Sequence, residues 1–261
     1  MMVMNTMKDI YANRTLLHSM IIRNLKGKYK SSYLGFAWHF VTPAIMILLF
    51  YILYTGIMQQ NVENYWVYLC TGMFPFYFLQ GCLTNGSGCI VSNAGTIKKM
   101  YFPREIIILS DVISTFITFL IGYAVVIILM LITNCSFNGF ALLFLPIMMM
   151  ITAMFAIGYE LILSTIVVFV RDLQYLIQAV SRIIFWVTPV FYTIDNAKGA
   201  LATVVGYNPF TYFIEIYHEI LYDGNIPNTH YIMLCIIFAT FALIIGVFVF
   251  NRFKGRFAEE L

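Results

Sequence analysis

The chain is short of charge. Only 10% of its 261 residues are Asp, Glu, Lys or Arg, and 61% are apolar. Soluble domains carry about 25% charged residues, and a soluble fold has no interior large enough to hide so much apolar side chain. The composition therefore excludes a soluble domain and specifies an all-α integral membrane protein, with helices apolar around their whole circumference.

Further absences narrow the function. There is no GxxxxGK[ST] phosphate loop, no HExxH and no nucleophile elbow. Carboxylates and histidines are too few and scattered for a hydrolase or transferase site, so no residue is assigned as catalytic and the chain reads as a non-enzyme. The five cysteines (Cys70, Cys82, Cys89, Cys135, Cys235) are odd in number and lack metal-ligand spacing, which makes them packing residues and leaves no metal site. Basic–aromatic repeats of the kind that bind nucleic acid are missing. The first 33 residues contain no apolar core before a small-residue cleavage site, so no cleavable signal peptide is expected. Any uphill transport must draw on an ion gradient or a separate ATPase. Gradient-driven carriers often show internal repeats, and none is evident.

What charge there is falls in clusters. Lys98-Lys99-Met100-Tyr101-Phe102-Pro103-Arg104-Glu105 is a charged island between apolar stretches. Pro103 forbids an unbroken helix through it, so it reads as a short bent element outside the hydrocarbon. Its centre, Met100, Tyr101 and Phe102, suits the groove of a partner protein, with Lys98, Lys99 and Arg104 setting register at the rim. Residues 1–33 hold Lys8, Arg14, Arg23, Lys26, Lys28 and Lys30 against one acid, Asp9. Within them Leu16, Leu17, Met20, Ile21 and Leu25 recur at helical spacing, which predicts an amphipathic helix in the membrane interface.

Six stretches are judged against the roughly 20 apolar residues that cross a bilayer. They run over about 35–58, 65–83, 106–132, 142–170, 175–192 and 231–250. All but two of the 15 lysines and arginines then fall on the side shared by both termini; Arg182 is inside a span and Lys198 lies opposite. The positive-inside rule makes the basic side cytoplasmic. Residues 193–230 become external, and Asn208-Pro209 signals a turn or helix start. Beyond it Phe213, Ile216, Tyr217, Ile220 and Leu221 share one face, with Glu215, His218, Glu219 and Asp223 on the other. This predicts one or two short re-entrant helices in the outer leaflet, their acidic face toward water or a pore; a Glu215–His218–Glu219 metal site is the weaker alternative because no further ligands lie nearby. Inside the bundle, Glu160 and Arg182 lie at equal depth, about 15 Å from the 171–172 turn. An intramembrane ion pair between them is expected, and Asp111 is placed at the interface facing Arg104 or Lys99.

Several landmarks resemble one family, the type-2 ABC export permeases. Arg23-Asn24-Leu25-Lys26-Gly27-Lys28-Tyr29-Lys30-Ser31-Ser32-Tyr33-Leu34-Gly35 resembles its RxLKxRYxxSxLG segment, and Phe36-Ala37-Trp38 through Thr42-Pro43 its continuation. Ile97 through Glu105 resembles its (I/V)xKxxFPRE segment. Val170-Arg171-Asp172-Leu173, Trp186 through Tyr192, Tyr207-Asn208-Pro209 and Arg256-Phe257-Ala258-Glu259 follow in family order. The resemblance covers nearly the whole chain and points to the polysaccharide-export branch, which moves O-antigen, capsule or teichoic-acid polymers. It implies one domain over 1–261, an interface helix in 1–33 and a six-span bundle in 34–261. It implies a homodimer in the bacterial cytoplasmic membrane with two copies of a nucleotide-binding ATPase; ATP and Mg would sit on that subunit, and this chain would bind no cofactor. The substrate would be a polymer linked to a polyprenyl pyrophosphate, attracted by Arg23, Lys26, Lys28 and Lys30, although simple anchoring to membrane lipids explains those four equally well. Glu160 departs from the apolar residue expected there. A drug or lipid exporter of the same type is the alternative, and a gradient-driven carrier a weaker one.

Overall fold

The computed structural model describes residues 8–27, 35–56, 64–133 and 138–261. Among them no strand occurs. The segment 1–33 contains a helix, α1 (Arg14–Gly27), continuing a helical stretch that begins at residue 8. After a 3-10 turn, Gly35–Ala37, come α2 (Trp38–Gly56) and α3 (Tyr65–Thr84). A broken descent follows: a 3-10 turn, Gly86–Gly88, then the short helices α4 (Cys89–Ser92) and α5 (Ala94–Ile97). Next are α6 (Glu105–Ile132), α7 (Phe144–Phe169) and α8 (Leu173–Val187). The last part holds α9 (Ala200–Tyr207), α10 (Pro209–Leu221), α11 (Thr229–Phe253) and α12 (Phe257–Glu260).

Three of these are long and apolar enough to cross a membrane: α6, the stretch Ala141–Phe169 that contains α7, and Thr229–Glu260, which contains α11. Val41–Tyr54 and Leu173–Val187 are shorter apolar helices. Helices α7 and α11 form the closest pair. A Cβ on Gly246 would run into the Gly158 carbonyl, and one on Gly158 into the Ala242 and Leu243 backbone. Without a hydrophobic drive between helices in lipid, such close backbone approach is the main source of packing energy.

The core is aromatic, and its tyrosines mend broken backbone. Pro75 interrupts α3; it has no N–H, so the carbonyl four residues earlier loses its helical donor. That carbonyl is Thr71's, and the Tyr123 hydroxyl donates to it at 2.6 Å. The irregular segment after α8 is served in the same way. Tyr65 donates to the Phe191 carbonyl at 2.6 Å, and Tyr68 reaches the carbonyls of Tyr192 at 2.7 Å and Pro189 at 3.3 Å. Non-helical backbone at membrane depth persists only where protein satisfies it.

Helix α10 is buried on most sides. Phe213, Ile214, Ile216, Tyr217 and Ile220 are wholly enclosed, Phe213 stacks on Phe155 at 4.7 Å, and Tyr217 pairs with Thr152 at 2.9 Å. His218 corrects the expected polar face: it is 1% exposed and stacks on Tyr68 with ring centroids 3.9 Å apart. The buried arc of α10 is wider than the apolar stripe alone, because α3 covers the flank carrying His218. The four described cysteines, Cys70, Cys82, Cys89 and Cys235, are free and buried.

Candidate functional site

Basic side chains gather at one end of the bundle. Lys254 pairs with Glu105 at 2.6 Å and Arg171 donates to the Glu260 carbonyl at 3.3 Å, so the start of α6, the end of α7 and the chain's last turn meet there. Helix α1 lies against α6, with Arg23 donating to Asn93 at 2.6 Å and Asn24 to Ser110 at 3.4 Å. Arg23 therefore sits beside the short helices that lead into the island. Lys26 is exposed; Lys28 and Lys30 lie outside the described residues.

The island 98–105 is a turn followed by irregular chain that enters α6 at Glu105, and its side chains divide. Lys98 and Lys99 are exposed, Met100 is 57% exposed and Tyr101 stands fully in the open, while Phe102 is 7% exposed and belongs to the core. This corrects the expectation that all three central residues face outward. Phe102 anchors the island to its own chain, and Met100 and Tyr101 are what it presents. Pro103, Arg104 and Glu105 are half-buried, and a groove of about 640 Å3 runs beside them, lined also by Asp9, Asn13, Tyr101, Lys254 and Gly255.

The expected Glu160–Arg182 pair is absent. Lys254–Glu105 is an ion pair within 4 Å, and among the described residues none is seen between Glu160 and Arg182. Glu160 is fully buried, its carboxyl in the space a Cβ on Gly86 would need, and Arg182 is exposed on α8. Equal depth set the height of both residues but not the rotation of either helix. Asp111 Oδ2 is buried, within electrostatic reach of Cys89 and Tyr159.

At the opposite end Asn208 caps α10, accepting from the Phe210 amide at 3.1 Å, with Pro209 as the first helical residue. Its amide also donates to Thr188 Oγ1 at 2.8 Å, tying the start of α10 to the end of α8. Glu219 accepts from the Asn228 amide at 2.8 Å. Glu215 lies deeper, and burial, then the charges of Glu219, Asp223 and Asp195, pushes its carboxyl up to about 8. Among the described residues no cluster could hold a metal ion.

Sequence reasoning missed a cavity of about 350 Å3 between α2, α3 and α6. Trp38, Phe74, Tyr77, Phe78 and Phe119 line it together with Thr42, Gln80, Thr84, Asn85, Thr115 and Thr118. Among the described residues its lining includes no carboxylate and no basic side chain, and the Thr115 hydroxyl is buried without a hydrogen-bond partner. Rings beside neutral hydroxyls and amides fit an uncharged, hydroxyl-rich ligand. A second aromatic group joins α2, α3 and α8: Phe50 stacks on Phe191 at 4.8 Å, with Phe185 and Trp186 at 5.8 and 6.3 Å, and Phe76 meets Phe185 at 5.2 Å.

Apolar helices long enough to cross a bilayer, a basic end with an exposed island, and a half-open pocket with a neutral described lining accord with a membrane permease. The chain belongs to the ABC-2 type transporter family, whose model matches residues 15–222. Curated relatives agree over nearly full length. An O-antigen export system permease protein RfbA of Klebsiella pneumoniae is 30% identical over 239 residues, 92% of each chain. One from Myxococcus xanthus is 25% identical, covering 97% of this chain and 98% of its own. The capsule polysaccharide export inner-membrane protein CtrC of Neisseria meningitidis is 18% identical over 95% of this chain and 94% of its own.

Proposed function

We propose that the chain is the membrane subunit of an ATP-driven exporter carrying a cell-surface polysaccharide, of the O-antigen or capsule kind, across the bacterial inner membrane. The carrying observation is full-length similarity to permeases named for that export. The cavity without charged side chains suits sugar rings better than an ionic solute.

In this reading the chain is one domain. Helices α2, α3 and α8 complete a six-span bundle with α6, α7 and α11, and α9 and α10 form the external re-entrant pair. The basic end is cytoplasmic, with both termini. Two copies pair through the apolar faces that α2 and α8 leave open, where Ile45, Leu48, Ile183 and Trp186 are exposed and Arg182 lies. Two ATPase subunits supply ATP and Mg and dock on Met100 and Tyr101. Their motion is transmitted through the island, anchored by Phe102, to open a path between α2 and α8. Arg23 and Lys26, with Lys28 and Lys30, draw the pyrophosphate of a polyprenyl-linked polymer toward the bundle.

Deletion of the gene tests the reading. The expected result is loss of surface polymer with accumulation of lipid-linked polymer inside the cell. Unchanged surface polymer would overturn it.

A further inference from the structure

The terminal Arg256-Phe257-Ala258-Glu259 landmark lies beyond the stretch matched by the family model, and nothing above gives it a role. Its contacts converge on two cytoplasmic turns. Phe257 is wholly buried, with the Phe250 ring at 5.5 Å and Phe169 at 6.4 Å. The Arg104 guanidinium lies 5.7 Å from the Phe257 ring centroid. Lys254 holds Glu105, the island's last residue, at 2.6 Å. On the far side Arg171 donates to the carbonyls of Glu260 and Leu261 at 3.3 and 3.5 Å. One short segment thus grips the island, the α7–α8 turn and the end of α11.

We propose that residues 254–261 are a brace that fixes the angle of the island, with Lys254 and Phe257 as positioning residues for the coupling of ATP hydrolysis to export. The inference rests on the function proposed above. Lys254 and Gly255 form part of the groove beside Tyr101, so displacing the tail changes the surface that meets the ATPase without altering Tyr101. Arg104 and Glu105 begin α6, which carries Thr115 and Thr118 into the uncharged cavity. A push on the island is passed up α6 as a rigid rod only while the base of that helix is held. A partly exposed ion pair adds little to stability, so breaking it perturbs position before it perturbs folding.

The experiment uses the complete complex with its ATPase in proteoliposomes, charged with the lipid-linked polymer extracted from the producing cell. Polymer exported per ATP hydrolysed is read beside the ATPase rate and the subunit ratio. Lys254→Glu is expected to lower export per ATP about fivefold while the subunit ratio is kept. The exchange Lys254→Glu with Glu105→Lys is expected to restore export per ATP. Phe257→Met, which refills the buried site without adding a polar group, should stay near wild type and Phe257→Ala should match Lys254→Glu. A Lys254→Glu complex with wild-type export per ATP overturns the brace, as does an exchange no better than the single variant. A wild-type complex that hydrolyses ATP and exports nothing overturns the functional reading itself, and the brace with it.

Discussion

Removal of the Tyr123 hydroxyl is the sharpest test of how this bundle tolerates a broken helix. Tyr123 is 1% exposed and its hydroxyl lies 2.6 Å from the Thr71 carbonyl, the group deprived of a donor by Pro75. Tyr123→Phe keeps the ring against Phe119 and Tyr217, at 4.9 and 5.5 Å, and deletes only the donor. Hydrogen bonds between membrane helices average about 0.6 kcal/mol, because the separated helices find other partners. A buried carbonyl left unsatisfied costs about 1–3 kcal/mol. Thr71 belongs with the second kind, since its helical donor is missing in either state, so about 1–2 kcal/mol is expected. At about 2–4 °C per kcal/mol for a chain of this size, that lowers Tm in detergent by roughly 2–8 °C. The decisive arm is the same substitution made in Pro75→Ala. Alanine returns an N–H to the Thr71 carbonyl, and Tyr123→Phe should then cost about 0.5 kcal/mol or less. An equal loss in both backgrounds, or no loss in the wild type, would refute the account.

Three further outcomes follow from the geometry. Gly246→Ala drives a Cβ into the Gly158 carbonyl and should cost about 1–3 kcal/mol by overpacking, whereas Gly95→Ala, with nothing within 4 Å of the new Cβ, should leave Tm unchanged. Tyr101→Ala should leave the melting of the isolated chain unaltered and weaken ATPase binding, read in nanodiscs, by about 2 kcal/mol, the scale of an interfacial aromatic anchor; Phe102→Ala should instead lower Tm, with a cost of about 3 kcal/mol for an emptied core site. Glu215 keeps its proton up to about pH 8 in the fold and releases it near 4.5 once exposed. The folded state therefore binds more protons between those values, stability should fall as pH rises across that window, and Glu215→Gln should remove that part of the slope in a Tm–pH profile.

Three of the six apolar stretches were legible as candidate spans to within a few residues, because a helix that must meet lipid or other helices on every side announces itself by composition alone. The expected 106–132 became Glu105–Ile132 and 231–250 became Thr229–Phe253. Asn208-Pro209 was legible for a local reason: a cap and a first-turn proline act within four residues of chain. Illegible features depend on rotation or on distant partners. Tyr101 and Phe102 are neighbours in non-helical chain, where no period says which turns inward. Glu160 and Arg182 share a depth, but each residue along a helix turns its side chain by about 100°, following from 3.6 residues per turn, and depth carries no information about that angle. His218 sat on the polar side of an amphipathic pattern that could not foresee α3 covering it.

The density of rings, 18 tyrosines and 24 phenylalanines, has two explanations, and hydroxyl partners separate them. Tyr65, Tyr68, Tyr123 and Tyr159 donate at 2.6–2.7 Å to the carbonyls of Phe191, Tyr192, Thr71 and Leu79. Their hydroxyls are committed to the backbone of α3 and the 188–192 segment, so they are scaffold and not available to a passing sugar. Other rings face the cavity or the α2–α8 boundary without donating to those carbonyls: Phe74, Tyr77, Phe78 and Phe119 around the cavity, and Phe50, Phe185, Trp186 and Phe191 between α2 and α8. The first set carries its own polar partners in Thr42, Gln80, Thr84 and Asn85; the second is almost entirely hydrocarbon and sits between α2 and α8, the pair proposed to part for the polymer. A sugar can be held by the first, because rings meet its CH faces while hydroxyls and amides meet its OH groups. The second can only let it slide, since it offers faces without directional bonds. A permease that advances a long chain in steps needs both holding and sliding, and on the function proposed above the two would fall on opposite flanks of α3.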